Sequence, residues 1–103
     1  MYMISFYVPE SHLDIVKNAL FEKGAGHIGA YSHCAWQVLG EGQFKALEGS
    51  DPFVGQKNQI EKVAEYKVEI VCSSEHLTDV MAAFKNSHPY EQPAYQIIQL
   101  VSY

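Results

Sequence analysis

Apolar and polar side chains alternate along four segments of the chain, and this period of two predicts four β-strands. The four segments cover residues 2–8, 34–39, 61–72 and 94–101. Gly40 and Gly42 follow the second segment and predict a turn or bulge there, with a short further strand at residues 43–47. Residues 48–58 are polar and contain glycine and proline, so we expect an exposed loop.

Two other segments carry apolar residues with the spacing of a helix. The first helix is predicted to begin at Ser11, with Asp14 in the capping-box position, and to end at Gly24. The second is predicted to begin at Ser74. The two apolar stripes consist of Leu13, Val16, Ala19 and Leu20 in the first helix, and of Leu77, Val80, Met81 and Phe84 in the second.

The two halves of the chain repeat one pattern. His12-Leu13 recurs as His76-Leu77, 64 residues later, and the apolar positions that follow also match. A strand–helix–strand unit used twice predicts a βαββαβ ferredoxin-like sandwich, an α+β fold in which an antiparallel sheet carries two helices on one face. With 103 residues, the chain is expected to form a single domain over residues 1–103.

Charge and composition exclude several classes of partner. The chain has a net charge of −5, and lysine supplies all seven of its basic residues, so the forked contacts that arginine makes to phosphate and guanine cannot form. We therefore expect no nucleic-acid partner. No stretch approaches the roughly 20 apolar residues of a membrane helix, so no membrane partner is expected either.

The chain start and the cysteines indicate a compartment. Residues 1–8 lack the basic n-region of a secretory signal, so a cytoplasmic location is expected. In that reducing environment Cys34 and Cys72 are predicted to be free thiols within strands.

One glycine-rich segment matches a nucleotide-binding pattern. Gly24-Ala25-Gly26-His27-Ile28-Gly29 fits G-x-G-x-x-G, which binds phosphate where a strand leads into a helix N-terminus. Here the segment follows a predicted helix and leads toward a strand. We therefore interpret its glycines as helix termination and a tight loop.

The segment His88-Pro89-Tyr90-Glu91 places three chemically active side chains on a loop that proline stiffens. A second loop, at residues 31–33, is expected to meet it near one end of the sheet. The predicted ligand-binding pocket consists of Tyr31, Ser32, His33, His88, Tyr90 and Glu91. A purely structural turn is the alternative interpretation of residues 88–91.

A metal site and a catalytic site are further alternatives. The chain has no C-x-x-C or H-x-x-x-H spacing, so structural zinc is not expected. An open site for a divalent metal ion could be assembled across loops from His33, His88 and Glu91, with His27 as a substitute for His33. Cys34 with a nearby histidine lacks an identifiable orienting acid. Glu91 beside Tyr90 and His88 is a single carboxylate on a loop, which is more often a cap or turn partner, so catalysis is not expected.

Linked motifs run through nearly the whole chain. They are Gly26-x-Ile28-Gly29-x-Tyr31-Ser32-x-Cys34, Gly40-x-Gly42-x-Phe44, Gly49-x-x-Pro52-x-x-Gly55, Glu61-x-Val63-x-Glu65 and His88-Pro89-Tyr90-Glu91-x-Pro93-Ala94-Tyr95. Their order and spacing resemble the PII/CutA-like domain inserted in YqfO-type members of the NGG1p-interacting-factor family. The closing His-Pro-Tyr-Glu-x-Pro is also similar to the C-terminal motif of CutA divalent-cation-tolerance proteins.

The resemblance implies a PII-like fold, a tendency to trimerise and a regulatory or ligand-sensing role. Long family members carry a larger metal-binding body, often labelled a GTP cyclohydrolase type 2 homologue, whose paired histidine and acidic ligands are not found here. We therefore expect a non-catalytic homo-oligomer, a trimer rather than a dimer, that binds a small molecule or a protein partner. Trp36, Phe44 and Phe53 support self-association, since large apolar patches rarely stay uncovered on monomers.

Two other functions stay open on the same resemblance. One is a CutA-like protein that binds a divalent metal ion through His88 and Glu91, with Cys34 or His33 as a further ligand. The other is a hydrolase, as the label of the long family members suggests.

Overall fold

The four predicted strands form one antiparallel sheet, in which the strands at residues 36–45, 60–72, 2–8 and 95–99 lie side by side in that order. The computed structural model describes residues 1–103. Its elements are β1 (Tyr2–Val8), a short 3₁₀ turn (Glu10–His12), α1 (Leu13–Glu22), β2 (Trp36–Lys45), β3 (Ile60–Cys72), α2 (Leu77–Ser87) and β4 (Tyr95–Gln99). Both helices cover the same face of the sheet, so the predicted ferredoxin-like fold is confirmed.

The core lies between the sheet and the two helices, and it uses the residues that the hydrophobic pattern selects. Every second residue of β1 and β3 points toward the helices, and the helical stripes point back. The Phe6 and Phe84 rings meet at the centre, with their centroids 5.1 Å apart. The core comprises Ile4, Phe6, Val8, Leu13, Val16, Leu20, Ala25, Val68, Ile70, Cys72, Val80 and Phe84.

The structure corrects the prediction of a turn at Gly40 and Gly42. β2 runs without interruption through both glycines, and each pairs with β3, Gly40 with Glu65 and Gly42 with Val63. Continuous pairing satisfies the backbone N–H and C=O groups of both glycines and so outweighs the low strand preference of glycine. Gly42 has a packing role, because a Cβ added there would clash with the Glu65 carboxylate.

The ends of the helices also differ from the prediction. The capping box does not form: α1 begins at Leu13 after the 3₁₀ turn, and the Ser11 hydroxyl lies 2.9 Å from His12 Nδ1. α2 begins at Leu77, three residues after Ser74. Gly24 does end α1 as predicted, with a φ of +105°.

The cysteines are free thiols and the glycine-rich segment is a connecting loop, as predicted, but only Cys72 lies within a strand. Cys34 and Cys72 are both free, although Cys34 precedes β2 and lies outside any strand. Residues 24–29 connect α1 to β2, which is the context expected for a connecting loop. The Gly26 N–H donates to the Val71 carbonyl oxygen at 2.8 Å, which fixes this loop to the end of β3.

The sheet extends beyond the helical layer as a two-stranded arm, and its face opposite the helices is uncovered. β1 ends opposite Tyr66, but β2 and β3 continue together as a two-stranded arm formed by residues 40–45 and 60–65. The molecule is accordingly elongated, with extents of 46 × 24 × 24 Å. The face opposite the helices carries the exposed side chains of Trp36, Val38 and Ile98. None of the helices is long and apolar enough to cross a membrane.

Candidate functional site

His88 is anchored where α2 ends and the 88–94 loop begins. It is 7% exposed, and its Nε2 lies 2.7 Å from the Tyr7 carbonyl oxygen. The Tyr90 N–H donates to His88 Nδ1 at 3.1 Å. A carbonyl can only accept and an amide N–H can only donate, so these two bonds select the neutral ring with its proton on Nε2.

The surroundings of His88 favour that neutral state. Burial lowers the pKa of His88 below its ordinary value, and His12 lowers it further. The Tyr7 carbonyl and the Glu65 carboxylate act in the opposite direction but do not cancel the effect of burial. With both nitrogens bonded, His88 acts as a clamp between β1 and the loop.

Tyr90 is held by Glu65, which lies across the sheet on β3. The phenol donates to Glu65 Oε2 at 2.8 Å. Burial, followed by this bond and the carboxylate charge, raises the pKa of Tyr90 far above its ordinary value. The Tyr90 hydroxyl therefore stays protonated at physiological pH and serves as a donor. The lack of a side chain at Gly42 leaves the space that the Glu65 carboxylate occupies.

Glu91 joins the 88–94 loop to the long 48–58 loop. Its Oε2 accepts the backbone N–H of Asp51 at 2.7 Å. Phe53 of the 48–58 loop packs against the rings of Tyr90 and His12, and its ring centroid lies 6.1 Å from that of Tyr90 and 5.6 Å from that of His12. Two segments that are distant in sequence are thereby fastened to each other at the base of the arm.

A groove with a volume of about 420 Å³ lies between these two loops and the open face of the sheet. Its walls are mostly hydrophobic and include four aromatic rings, those of Tyr7, Phe44, Phe53 and Tyr90. Its polar side chains are Lys45, Ser50, Glu91 and Gln92. This size and composition fit a small organic ligand, because such sites combine apolar walls with a few polar groups that orient the ligand.

The other predicted pocket loop lies elsewhere. Residues 31–33 follow the loop that Gly26 fixes to Val71, and the His33 ring packs on Phe21 of α1 with centroids 4.8 Å apart. Tyr90 is bonded to Glu65, six positions from Val71 along β3, which is about 20 Å at the rise of a strand. A single chain therefore does not bring Tyr31, Ser32 and His33 to the groove.

The structure does not bring together the three predicted metal ligands, His33, His88 and Glu91. No group of three or more His, Cys, Asp or Glu side chains is arranged to hold a metal ion. His33 lies at the far end of the sheet, and its Nδ1 is 2.9 Å from the Ser32 hydroxyl. Both His88 nitrogens are bonded, and Glu91 Oε2 accepts the Asp51 N–H.

Several residues of the groove were missed from the sequence. Phe53 was identified only as excess aromatic surface, Phe44 as aromatic surface and as a motif position, and Tyr7 only as part of a strand. Glu65 and Gly42 belong to the linked motifs, but their contact depends on the register of β2 against β3. Their presence in the same set of linked motifs was the only feature of the sequence that could have indicated a shared role.

No protein-family model matches the chain. Its relatives include proteins named GTP cyclohydrolase 1 type 2 homolog. The one from Mycobacterium tuberculosis is 48% identical over 95 residues, which cover 92% of this chain and 25% of that protein. The one from Halalkalibacterium halodurans is 42% identical over 102 residues, 99% of this chain and 27% of that protein.

Solved structures support the same relationship. The Bacillus cereus protein related to NIF3 matches with a TM-score of 0.84 and 35% identity, over 98% of this chain and 26% of that one. The periplasmic divalent cation tolerance protein CutA from Archaeoglobus fulgidus matches with a TM-score of 0.68 and 19% identity, over 97% of this chain and 84% of that one. At that identity CutA shares the fold alone.

The chain thus spans about a quarter of the length of the curated relatives that it matches. Over nearly all of its own length it is homologous to one domain of the proteins named GTP cyclohydrolase 1 type 2 homolog, and it has the CutA-like ferredoxin fold.

Proposed function

We propose that this chain is a non-catalytic, homo-oligomeric module that binds a small molecule in the groove and reports its presence as a sensing domain. The observation that carries the proposal is the groove of about 420 Å³ between two loops that the Glu91–Asp51 bond fastens together. A ligand in such a groove would change how the two loops meet. That coupling is what a sensing domain requires.

The chemistry of the groove supports binding rather than turnover. A general acid needs a proton, and a general base needs a free lone pair, that a bound substrate can reach. His88 uses both ring nitrogens to hold the backbone, and the Tyr90 hydroxyl donates a hydrogen bond to Glu65. Glu91 accepts the Asp51 N–H. These side chains shape and close the groove, and the hydrolase alternative draws no support from them.

The open sheet supports self-association. A two-stranded ribbon is only marginally stable by itself in water, so the arm formed by residues 40–45 and 60–65 is expected to pack against another surface. β2 is also a ten-residue edge strand without proline, which favours pairing with another chain. Trp36, Val38 and Ile98 add exposed apolar area to the open face, at 58%, 44% and 56% exposure. We expect a trimer, as the PII/CutA resemblance implies.

Native mass spectrometry of gently purified protein tests both parts of the proposal. We expect a trimer, together with retained mass from a small molecule. Val38→Lys should dissociate the assembly, because it places a charge on the face that we propose is covered. Ile15→Lys is the matched control, since Ile15 is 55% exposed on the helical side and should leave assembly unchanged.

The two parts can fail separately. A monomer at micromolar concentration would refute the oligomer. An intact trimer that carries no ligand and shows no saturable binding at the groove in a small-molecule screen would refute the sensing role.

A further inference from the structure

We propose that the ligand of the groove is a small organic cation, an ammonium group carried on an apolar body. This inference rests on the function proposed above, because it specifies the chemical class of the ligand for the same groove. Two independent features point to it: the aromatic walls and the charges around them.

The aromatic walls suit a cation that is only weakly hydrated. Tyr7, Phe44, Phe53 and Tyr90 all line the groove, and the Phe53 and Tyr90 rings are 6.1 Å apart. The face of an aromatic ring carries negative potential, so clustered rings attract ammonium groups that have lost water. The Tyr90 hydroxyl donates a hydrogen bond to the Glu65 carboxylate, which increases the electron density of the Tyr90 ring.

Carboxylates outnumber lysines around the groove, although Lys45 is one of its lining residues. Glu65 and Glu91 accept hydrogen bonds from neutral donors, the Tyr90 hydroxyl and the Asp51 N–H, so neither carboxylate is neutralised. The ion pairs of the chain, Lys17–Asp14 and Lys67–Glu69, do not include them.

The surrounding loop adds to this balance. Glu48 also accepts from a neutral donor, the side-chain amide of Asn58, and Asp51 contributes a further carboxylate. Within residues 45–58 the basic residues are Lys45, which lines the groove, and Lys57, and both are exposed, whereas Glu48, Asp51, Glu65 and Glu91 supply four carboxylates. Together with the net charge of −5 and the absence of arginine, this favours cations over phosphates and carboxylates.

Three probes that share a phenyl ring isolate the effect of charge: benzyltrimethylammonium, benzyl alcohol and benzoate. Their dissociation constants can be measured from backbone amide shifts in ¹⁵N-labelled wild-type protein. With benzyltrimethylammonium, the shifts of the groove amides should reach a plateau. The cation should bind between about 2-fold and 30-fold more tightly than benzyl alcohol, the range that cation–π contacts supply. Benzoate should bind more weakly than either.

Variants assign the effect to the two features. Phe53→Leu keeps apolar volume and removes a ring, and Glu91→Gln keeps an acceptor for the Asp51 N–H and removes a charge. Both should weaken the cation more than the alcohol. The control Glu22→Gln lies at an exposed position of α1, changes the net charge by the same amount as Glu91→Gln, and should leave both affinities unchanged.

The outcomes separate this inference from the proposed function. Equal or tighter binding of benzyl alcohol or benzoate at the same amides would overturn the cation while leaving the ligand groove in place. Shifts that do not saturate, or that scatter over the surface for all three probes, would overturn both.

Discussion

Gly42→Ala offers a sharp test of how the groove is built. A Cβ at position 42 would clash with the carboxylate of Glu65, so the Glu65 side chain must move away. That carboxylate accepts the Tyr90 hydroxyl at 2.8 Å, and the displacement should break this bond. Gly40→Ala is the matched control, because it lies on the same strand and its added Cβ would be 4.0 Å from the nearest atom, the Glu65 carbonyl oxygen.

The expected magnitude follows from two opposed effects. Replacing glycine in a strand stabilises by about 0.5–1 kcal/mol when the side chain fits, and this alone should apply to Gly40→Ala. Loss of a hydrogen bond to a charged acceptor costs about 1.5–3 kcal/mol, toward the lower end here because Glu65 and Tyr90 are only half-buried. Gly42→Ala should therefore be less stable than Gly40→Ala by about 1–2 kcal/mol.

Urea unfolding at pH 7 measures the difference, with protein concentration held constant because oligomerisation contributes to apparent stability. Tyr90→Phe removes the same hydrogen bond from its other end. If Gly42 acts through Glu65 and Tyr90, the double variant should be no less stable than the worse single one. Equal stabilities of the two alanine variants, or additive losses in the double variant, would refute the reasoning.

Three further predictions follow from the site and the thiols. Glu91→Ala should accelerate exchange of the Asp51 amide hydrogen with solvent roughly fivefold or more, which is the factor for one lost hydrogen bond, and the control Glu22→Ala should not. An unchanged exchange rate in Glu91→Ala would show that Glu91 does not fasten the two loops. Because burial lowers the pKa of folded His88 below 6.5, the unfolded chain binds more protons as pH falls below that value. Stability should thus decline from about pH 6.5 downward, and His88→Gln should flatten the decline measured by urea unfolding; an unaltered slope would contradict the assignment. Burial also raises the pKa of the Cys72 thiol, so iodoacetamide should label Cys34 first in the native protein and Cys72 only after unfolding. Mass spectrometry measures the two labelling rates, and comparable rates in the native protein would contradict this prediction.

The fold could be predicted from the sequence because its determinants are local and periodic. Ile4, Phe6 and Val8 alternate along β1, and Val80 and Phe84 fall one helical turn apart, so each element specifies its own buried face. The errors fell at Gly40 and Gly42, at the predicted helix starts Ser11 and Ser74, and at Cys34, which lies just before β2. There the outcome depended on pairing with β3 or on how the chain enters a helix, and these are not properties of the residue itself.

The candidate site could be predicted only in part. Tyr90 and Glu91 were identified because proline and a dense run of polar groups mark the 88–94 loop. Residues 31–33 were assigned to the same pocket because sequence shows which residues form loops and not which end of the sheet a loop occupies. Phe53 and Glu65 carry no local signal of their role, since each acts through a partner distant in the chain.

The sequence by itself determined the ferredoxin-like architecture, the buried residues and the loop that bears the site, because hydrophobic period and backbone preference act over a few residues. Only the tertiary structure decided that Glu65 reaches Tyr90 across Gly42, that Glu91 fastens the 48–58 loop, and that His33 lies far from His88. Those contacts depend on strand register and loop position, which are set by the packing of the whole domain rather than by any one segment.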